Sequence, residues 1–187
     1  DVYKRQVMSK LMPRQSVPPL RVPTVEHGLW DLAAQRPARF TLVLVYRGLH
    51  CPICRGYLQE LRSLRGDFEA HGTSVLALST DDGERARTAH ARWGLDGLPL
   101  GYGLAIDDAR AWGLYISTSR GVTSAGIEEP AQFAEPGLFL IRPDGSLYAA
   151  AVNTMPFARP SFQDLLGAID FAIAKDYPAR GEYTGEV

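Results

Sequence analysis

The chain has two cysteines, and both lie in one motif, Cys51-Pro52-Ile53-Cys54. The nucleophile of thiol chemistry is the thiolate, and a free cysteine has a pKa near 8.5, so such a pair needs a device that favours the anion. A helix N-terminus is one, because its unpaired N–H groups and the positive end of its dipole favour negative charge. Proline at the first helical position is well tolerated, and Pro52 marks Cys51 as the N-cap. Cys54 then falls one turn later on the same face, placed to attack a mixed disulfide formed at Cys51. Helix-start placement further predicts an exposed Cys51. His50 could add positive charge or be a bystander, and Arg47 could be a cation beside the sulfurs or a solvated loop residue.

Three other readings of the pair are weaker. A disulfide across so small a loop gives little entropic stabilisation. Structural zinc takes four ligands, and a second ligand pair is missing. Two buried structural cysteines would not call for a proline-started helix.

The elements around the motif fit the chemistry. Phe40 to Tyr46 is an apolar, β-branched run that predicts a strand buried on both faces. Apolar residues at Ile53, Tyr57, Leu58, Leu61, Leu64 and Phe68 keep helical period, and Gly72 stops the helix. Val75–Ser79 predicts a second strand, and Asp81 with Glu84 a capping box for a helix ending near Gly94. Leu100–Ile106 is a weaker strand, Asp107 caps a short helix through Trp112, and Tyr115–Glu135 reads as irregular. Gly137–Ile141 and Ser146–Val152 form a hairpin about Pro143-Asp144-Gly145. Ser161 with Asp164 caps a last helix bounded by Pro178. This order predicts an α/β fold, a mixed sheet with helices on both faces.

At 187 residues, 45% hydrophobic and 22% charged, the chain suits one globular domain. Residues 1–19 read as a leader or arm, 20–177 as the domain and 178–187 as a polar tail. Met8 is a candidate native start, which would make residues 1–7 a remnant. A net charge of −1 gives no global field toward nucleic acid or anionic membrane. The longest apolar runs are far short of a membrane span, and no secretory signal is evident, so a cytoplasmic location is the expectation. Cofactor motifs are lacking: Gly101-Tyr102-Gly103 is too short for a dinucleotide fingerprint, and no flavin or metal motif occurs.

Leu42 to Leu64, with Cys51-Pro52-Ile53-Cys54 between strand and helix, resembles the active-site segment of thioredoxin-fold proteins. Val75-Leu76-Ala77-Leu78-Ser79-Thr80-Asp81 resembles the peroxiredoxin strand ending in Ser-x-Asp. Leu98-Pro99-Leu100, Asp107 and Ala111-Trp112-Gly113-Leu114-Tyr115 are similar to the peroxiredoxin segment on the C-terminal side of that strand. Gly137-Leu138-Phe139-Leu140-Ile141 with Asp144-Gly145 is similar to the late strand and hairpin. The resemblance spans roughly residues 20–175 and points to the alkyl hydroperoxide reductase and thiol-specific antioxidant (AhpC/TSA) superfamily, peroxiredoxin-like, with a thioredoxin-like fold. It departs at the site: in the family's Pro-x-x-x-Thr-x-x-Cys motif, Arg47 takes the Pro position, Cys51 the Thr and Cys54 the peroxidatic Cys. The usual late Arg falls on Pro136, where a thioredoxin would carry a cis-proline.

The resemblance therefore implies a redox enzyme with two registers. In one, Cys51 attacks a disulfide and Cys54 resolves; in the other, Cys54 meets peroxide and Cys51 resolves. Reducing equivalents would come from thioredoxin, glutaredoxin or a small thiol, and edges at Leu98–Tyr102 and Tyr115 could pair in a homodimer. The alternative is a non-catalytic redox sensor or binding module with a regulatory disulfide.

Overall fold

The computed structural model describes residues 11–186; Met8 and most of the leader reading lie outside them. Five strands form the central sheet: β3 (Phe40–Val45), β4 (Thr73–Leu78), β5 (Leu100–Gly101), β8 (Gly137–Ile141) and β9 (Leu147–Val152), in the order β5-β4-β3-β8-β9. β3 and β5 run parallel to β4, while β8 is antiparallel to β3 and to β9. The mixed sheet expected from the sequence is thus present. Every residue of β3 is buried, because alternate side chains enter two cores. Leu42 and Leu44 meet Leu58, Leu61 and Phe68 of α1 (Pro52–Ala70) and Phe162 of α4 (Phe162–Ala174). Val43 and Val45 face the other way, toward Trp30, Ala109 of α3 (Ile106–Ala111) and Trp112. Period-two alternation on a two-faced sheet requires apolar residues at every position.

Several boundaries differ from the sequence reading. The predicted strand over Leu100–Ile106 is two residues long, since Ile106 already opens α3. Ala105, not Asp107, is the N-cap of α3, and Asp107 lies in its first turn. The cap of α2 (Gly83–Trp93) is Asp82, whose carboxylate accepts the Arg85 N–H; Asp81 is buried instead. Ser161 does cap α4, accepting the Asp164 N–H.

Residues 115–135 are not wholly irregular. They carry a small hairpin, β6 (Ile116–Thr118) with β7 (Gln132–Ala134), held antiparallel. The start of the domain carries a second small hairpin, β1 (Arg21–Pro23) paired to β2 (Leu29–Asp31). That hairpin covers β5: Val25 donates to the Leu100 carbonyl and Tyr102 to that of Pro23. The Leu98–Tyr102 edge expected to be open is therefore occupied, whereas Tyr115 stays exposed. Among the described residues, no helix is long and apolar enough to cross a membrane.

Candidate functional site

β3 ends at Val45, and five residues carry the chain from it to the cysteine pair. Tyr46 still belongs to the sheet, its N–H bonded to the Leu78 carbonyl. Gly48 then turns the chain at φ 130°, in a region that favours glycine, and a Cβ there would meet the Asp81 carboxylate at 2.8 Å. Asp81 uses that close approach to accept the Leu49 N–H at 2.7 Å and the Arg85 Nε–H at 2.9 Å. Burial raises the Asp81 pKa against these bonds. The loop is thus pinned from below by the end of β4 and the start of α2.

Cys51 is the N-cap of α1, with Pro52 in the first turn, as expected from the sequence. Its sulfur makes no capping bond to the backbone. Both cysteines are free thiols, and the expected exposure of Cys51 is not observed: it is 1% exposed and Cys54 fully buried. The loop following β9 covers them. From it Arg159 reaches in with one guanidinium nitrogen, 3.2 Å from Cys54 Sγ and 3.7 Å from Cys51 Sγ. Arg159 is itself held, with Nε–H donating to the Pro156 carbonyl at 2.8 Å and its plane 5.2 Å from the Tyr57 ring centre. Tyr57 donates to the Pro160 carbonyl at 2.6 Å and stacks on Phe162, tying the loop to α1 and α4.

This setting separates the two thiols. The Cys51 pKa falls to about 6, chiefly through the neighbouring Cys54 thiol, with the Arg159 and Arg47 charges adding to the effect against burial. The Cys54 pKa moves well upward, first from burial and then from its bond and proximity to the Cys51 thiolate. The two shifts run in opposite directions, favouring the anion on Cys51 and the proton on Cys54, as a nucleophile and a resolving thiol require.

Arg47 is neither a free surface residue nor a direct sulfur partner. It pairs with Glu135 at 3.1 Å and Glu129 at 3.8 Å and lies 4.9 Å over the Phe133 ring. His50 supplies no positive charge: it is fully buried, and burial followed by the Arg47 charge lowers its pKa to about 4. Its ring packs edge-on to Phe133 at 4.5 Å, and its carbonyl accepts the Thr123 hydroxyl at 2.7 Å. The 115–135 segment is therefore a brace for the active loop. The cis-proline reading of Pro136 is overturned: all peptide bonds among the described residues are trans, and the Pro136 carbonyl accepts the Asn153 N–H.

Arg159 escaped the sequence reading. It lies 105 residues from Cys54, and the proline-bracketed Pro156-Phe157-Ala158-Arg159-Pro160 was its only local signal. A cavity of about 810 Å³, lined by Leu11, Trp112, Leu114, Tyr148 and Tyr177 among others, includes neither cysteine. No metal-ligand cluster among the described residues includes the cysteine pair.

A family model described as the AhpC/TSA family matches residues 13–150. The chain belongs to the AhpC/TSA family. Its fold is that of solved relatives at low identity. A cysteine-to-serine mutant of peroxiredoxin 6 from Arenicola marina is 18% identical with TM-score 0.68, over 88% of this chain and 74% of that one. Peroxidoxin BcpB from Mycobacterium tuberculosis is 18% identical with TM-score 0.67, over 87% and 98%. A Chlorobium tepidum protein assigned as the thiol:disulfide interchange protein DsbE is 17% identical with TM-score 0.63, over 87% and 98%. No curated protein sequence matches at a significant level. These likenesses show a thioredoxin-like fold of the peroxiredoxin type.

Proposed function

We propose that this AhpC/TSA protein is a thiol oxidoreductase that cycles Cys51 and Cys54 between dithiol and disulfide, reducing a peroxide or a disulfide. The observation that carries the reading is the site itself: two free thiols, Cys51 at the N-cap of α1 and Cys54 in its first turn, with one Arg159 guanidinium nitrogen 3.7 and 3.2 Å from their sulfurs. With a disulfide, Cys51 Sγ⁻ attacks one sulfur and the other leaves as a thiolate. Cys54, losing its proton, then attacks Cys51 Sγ and expels the second thiolate. With a hydroperoxide, Cys51 Sγ⁻ attacks the terminal oxygen, the O–O bond breaks, and the alkoxide or hydroxide leaves, taking a proton from water to become alcohol or water. Cys54 then displaces water from the sulfenic acid. Either route leaves a Cys51–Cys54 disulfide, which thioredoxin, glutaredoxin or a small thiol returns to the dithiol. A reducing, cytoplasmic compartment suits such a cycle.

The pKa split favours Cys51 over Cys54 as the attacking group. Its burial means that the oxidant enters only when the Arg159 loop shifts or leaves a passage beside it. Mixing reduced protein with hydrogen peroxide, an alkyl hydroperoxide or insulin, and following thiol loss, tests the reading. Rapid loss of two thiols per chain with one oxidant supports it and names the oxidant class. Sulfenic acid trapped at Cys54 in Cys51→Ser, but not at Cys51 in Cys54→Ser, would reverse the two roles. The near-complete burial of both sulfurs favours one second reading, a slow redox sensor. Oxidation by every oxidant no faster than that of a free thiol would select it.

A further inference from the structure

At the far end of α2 from the Asp81–Arg85 pair, three side chains from separate elements converge. Glu26 comes from the β1–β2 turn, His90 from the last turn of α2, and Asp96 from the turn leading to β5. One donor atom from each lies within 4.8 Å of the others. His90 is only 7% exposed, and its Nε2 has no hydrogen-bond partner. Glu26 Oε2 is 3.1 Å away from that nitrogen, near but out of line for a hydrogen bond. A ring nitrogen that is buried, unbonded and turned toward two carboxylates is a costly arrangement unless something else takes the site.

The surrounding groups leave the carboxylates available. Arg62 and Arg65, whose guanidinium groups reach the turn, donate to the backbone carbonyls of Asp96 and Gly97. Asp96 forms no ion pair among the described residues. Glu26 Oε2 accepts the Gly97 N–H at 3.0 Å. That bond holds the same oxygen 3.1 Å from His90 Nε2, already aimed across the gap.

We propose that Glu26, His90 and Asp96 form a binding site for a divalent transition-metal ion of the zinc class. Calcium takes six to eight oxygens and magnesium a near-octahedral oxygen shell, which one imidazole and two carboxylates do not supply. Zinc accepts nitrogen and carboxylate oxygen at about 2.0–2.2 Å in a four-coordinate shell, with water completing it. Ligand atoms in that shell lie about 3.4 Å apart, so the 4.8 Å span within which the donors lie must close by up to about an ångström and a half. Glu26 and Asp96 are exposed and can swing inward, while His90 stays fixed in the core. The bound ion would clamp the entering hairpin to α2 and to the β5 turn, at a site independent of the thiol cycle.

Zinc also binds thiolates, so the test uses the full chain carrying Cys51→Ser and Cys54→Ser. Calorimetric titration with zinc chloride should show one ion per chain with a micromolar or tighter Kd, and melting should shift upward with zinc but not with magnesium. Adding Asp96→Asn should weaken binding at least about tenfold while leaving the metal-free melting temperature unchanged, because Asp96 is exposed. His90→Gln should weaken it likewise; if that variant does not fold, Asp96→Asn alone decides. Absence of saturable zinc uptake, or an unchanged Kd in either folded variant, overturns the proposal.

Discussion

At the scale of single residues, the chemistry turns on which atoms stand within about 4 Å of the two sulfurs. Arg159 is the one side-chain cation in direct contact with them among the described residues. An opposite charge at that range moves a pKa by about 1–3 units. Arg159→Gln should therefore raise the pH midpoint of Cys51 reactivity by at least about one unit, which at pH 7 halves the thiolate fraction and slows oxidation about twofold or more. A rate–pH profile for the two proteins checks this. His50 makes a second prediction. Its folded pKa lies below the unfolded value, so the unfolded chain takes up the proton first, and stability falls as pH drops from about 6.5 toward about 4. Up to about 3 kcal/mol is lost across that window at 1.36 kcal/mol per unit. Urea denaturation against pH should show the slope in the native protein and a shallower one in His50→Gln. The cysteine pair and its helix-cap position were legible in the sequence, since both depend on residues within a few positions. The Arg159 contact was not, because it depends on how a loop 105 residues away from Cys54 folds back.

At the scale of elements, the strand–loop–helix unit holds the site, and its most constrained point is Gly48. A side chain there would demand a left-handed backbone and push into the Asp81 carboxylate. Gly48→Ala should cost about 2–3 kcal/mol, loosen the Leu49–Asp81 bond and lower the rate of thiol oxidation. Chemical denaturation reads the first effect and stopped-flow oxidation the second. Periodicity located the long elements well: β3, α1, β8 and α4 lie where their apolar spacing placed them. It failed where tertiary contacts define the element. The β6–β7 hairpin has only three residues per strand and exists because Phe133 and Glu135 pack on His50 and Arg47. Asp81 has the spacing of a cap, yet burial against the active loop draws it away from that role and leaves Asp82 to serve.

At the scale of the molecule, the two ends of the described chain meet beside β9. Arg14 donates to the Ala179 carbonyl and pairs with Glu182 at 3.1 Å, and Tyr148 donates to the Tyr177 carbonyl. Ala179 is 2% exposed, although the tail around it reads as polar in the sequence. Removing residues 178–187 should lower stability by about 1–2 kcal/mol. Oxidation rates at the cysteine pair should be unchanged, because the clasp's bonds run to the arm and to β9. Thermal melts and peroxide kinetics on the truncated protein test the two halves of that statement. The overall plan was legible because the two-faced sheet needs continuous apolar strands, whereas the docking of polar termini leaves no period to read.

The central claim is that Cys51 carries the thiolate and Cys54 the proton. Thiolate ultraviolet absorbance, titrated against pH in the reduced protein and in Cys51→Ser and Cys54→Ser, measures it without requiring access to the buried sulfurs. One thiolate with a midpoint near 6 is expected, displaced upward in Cys54→Ser and missing in Cys51→Ser. A midpoint near 6 that survives in Cys51→Ser and vanishes in Cys54→Ser would contradict the claim.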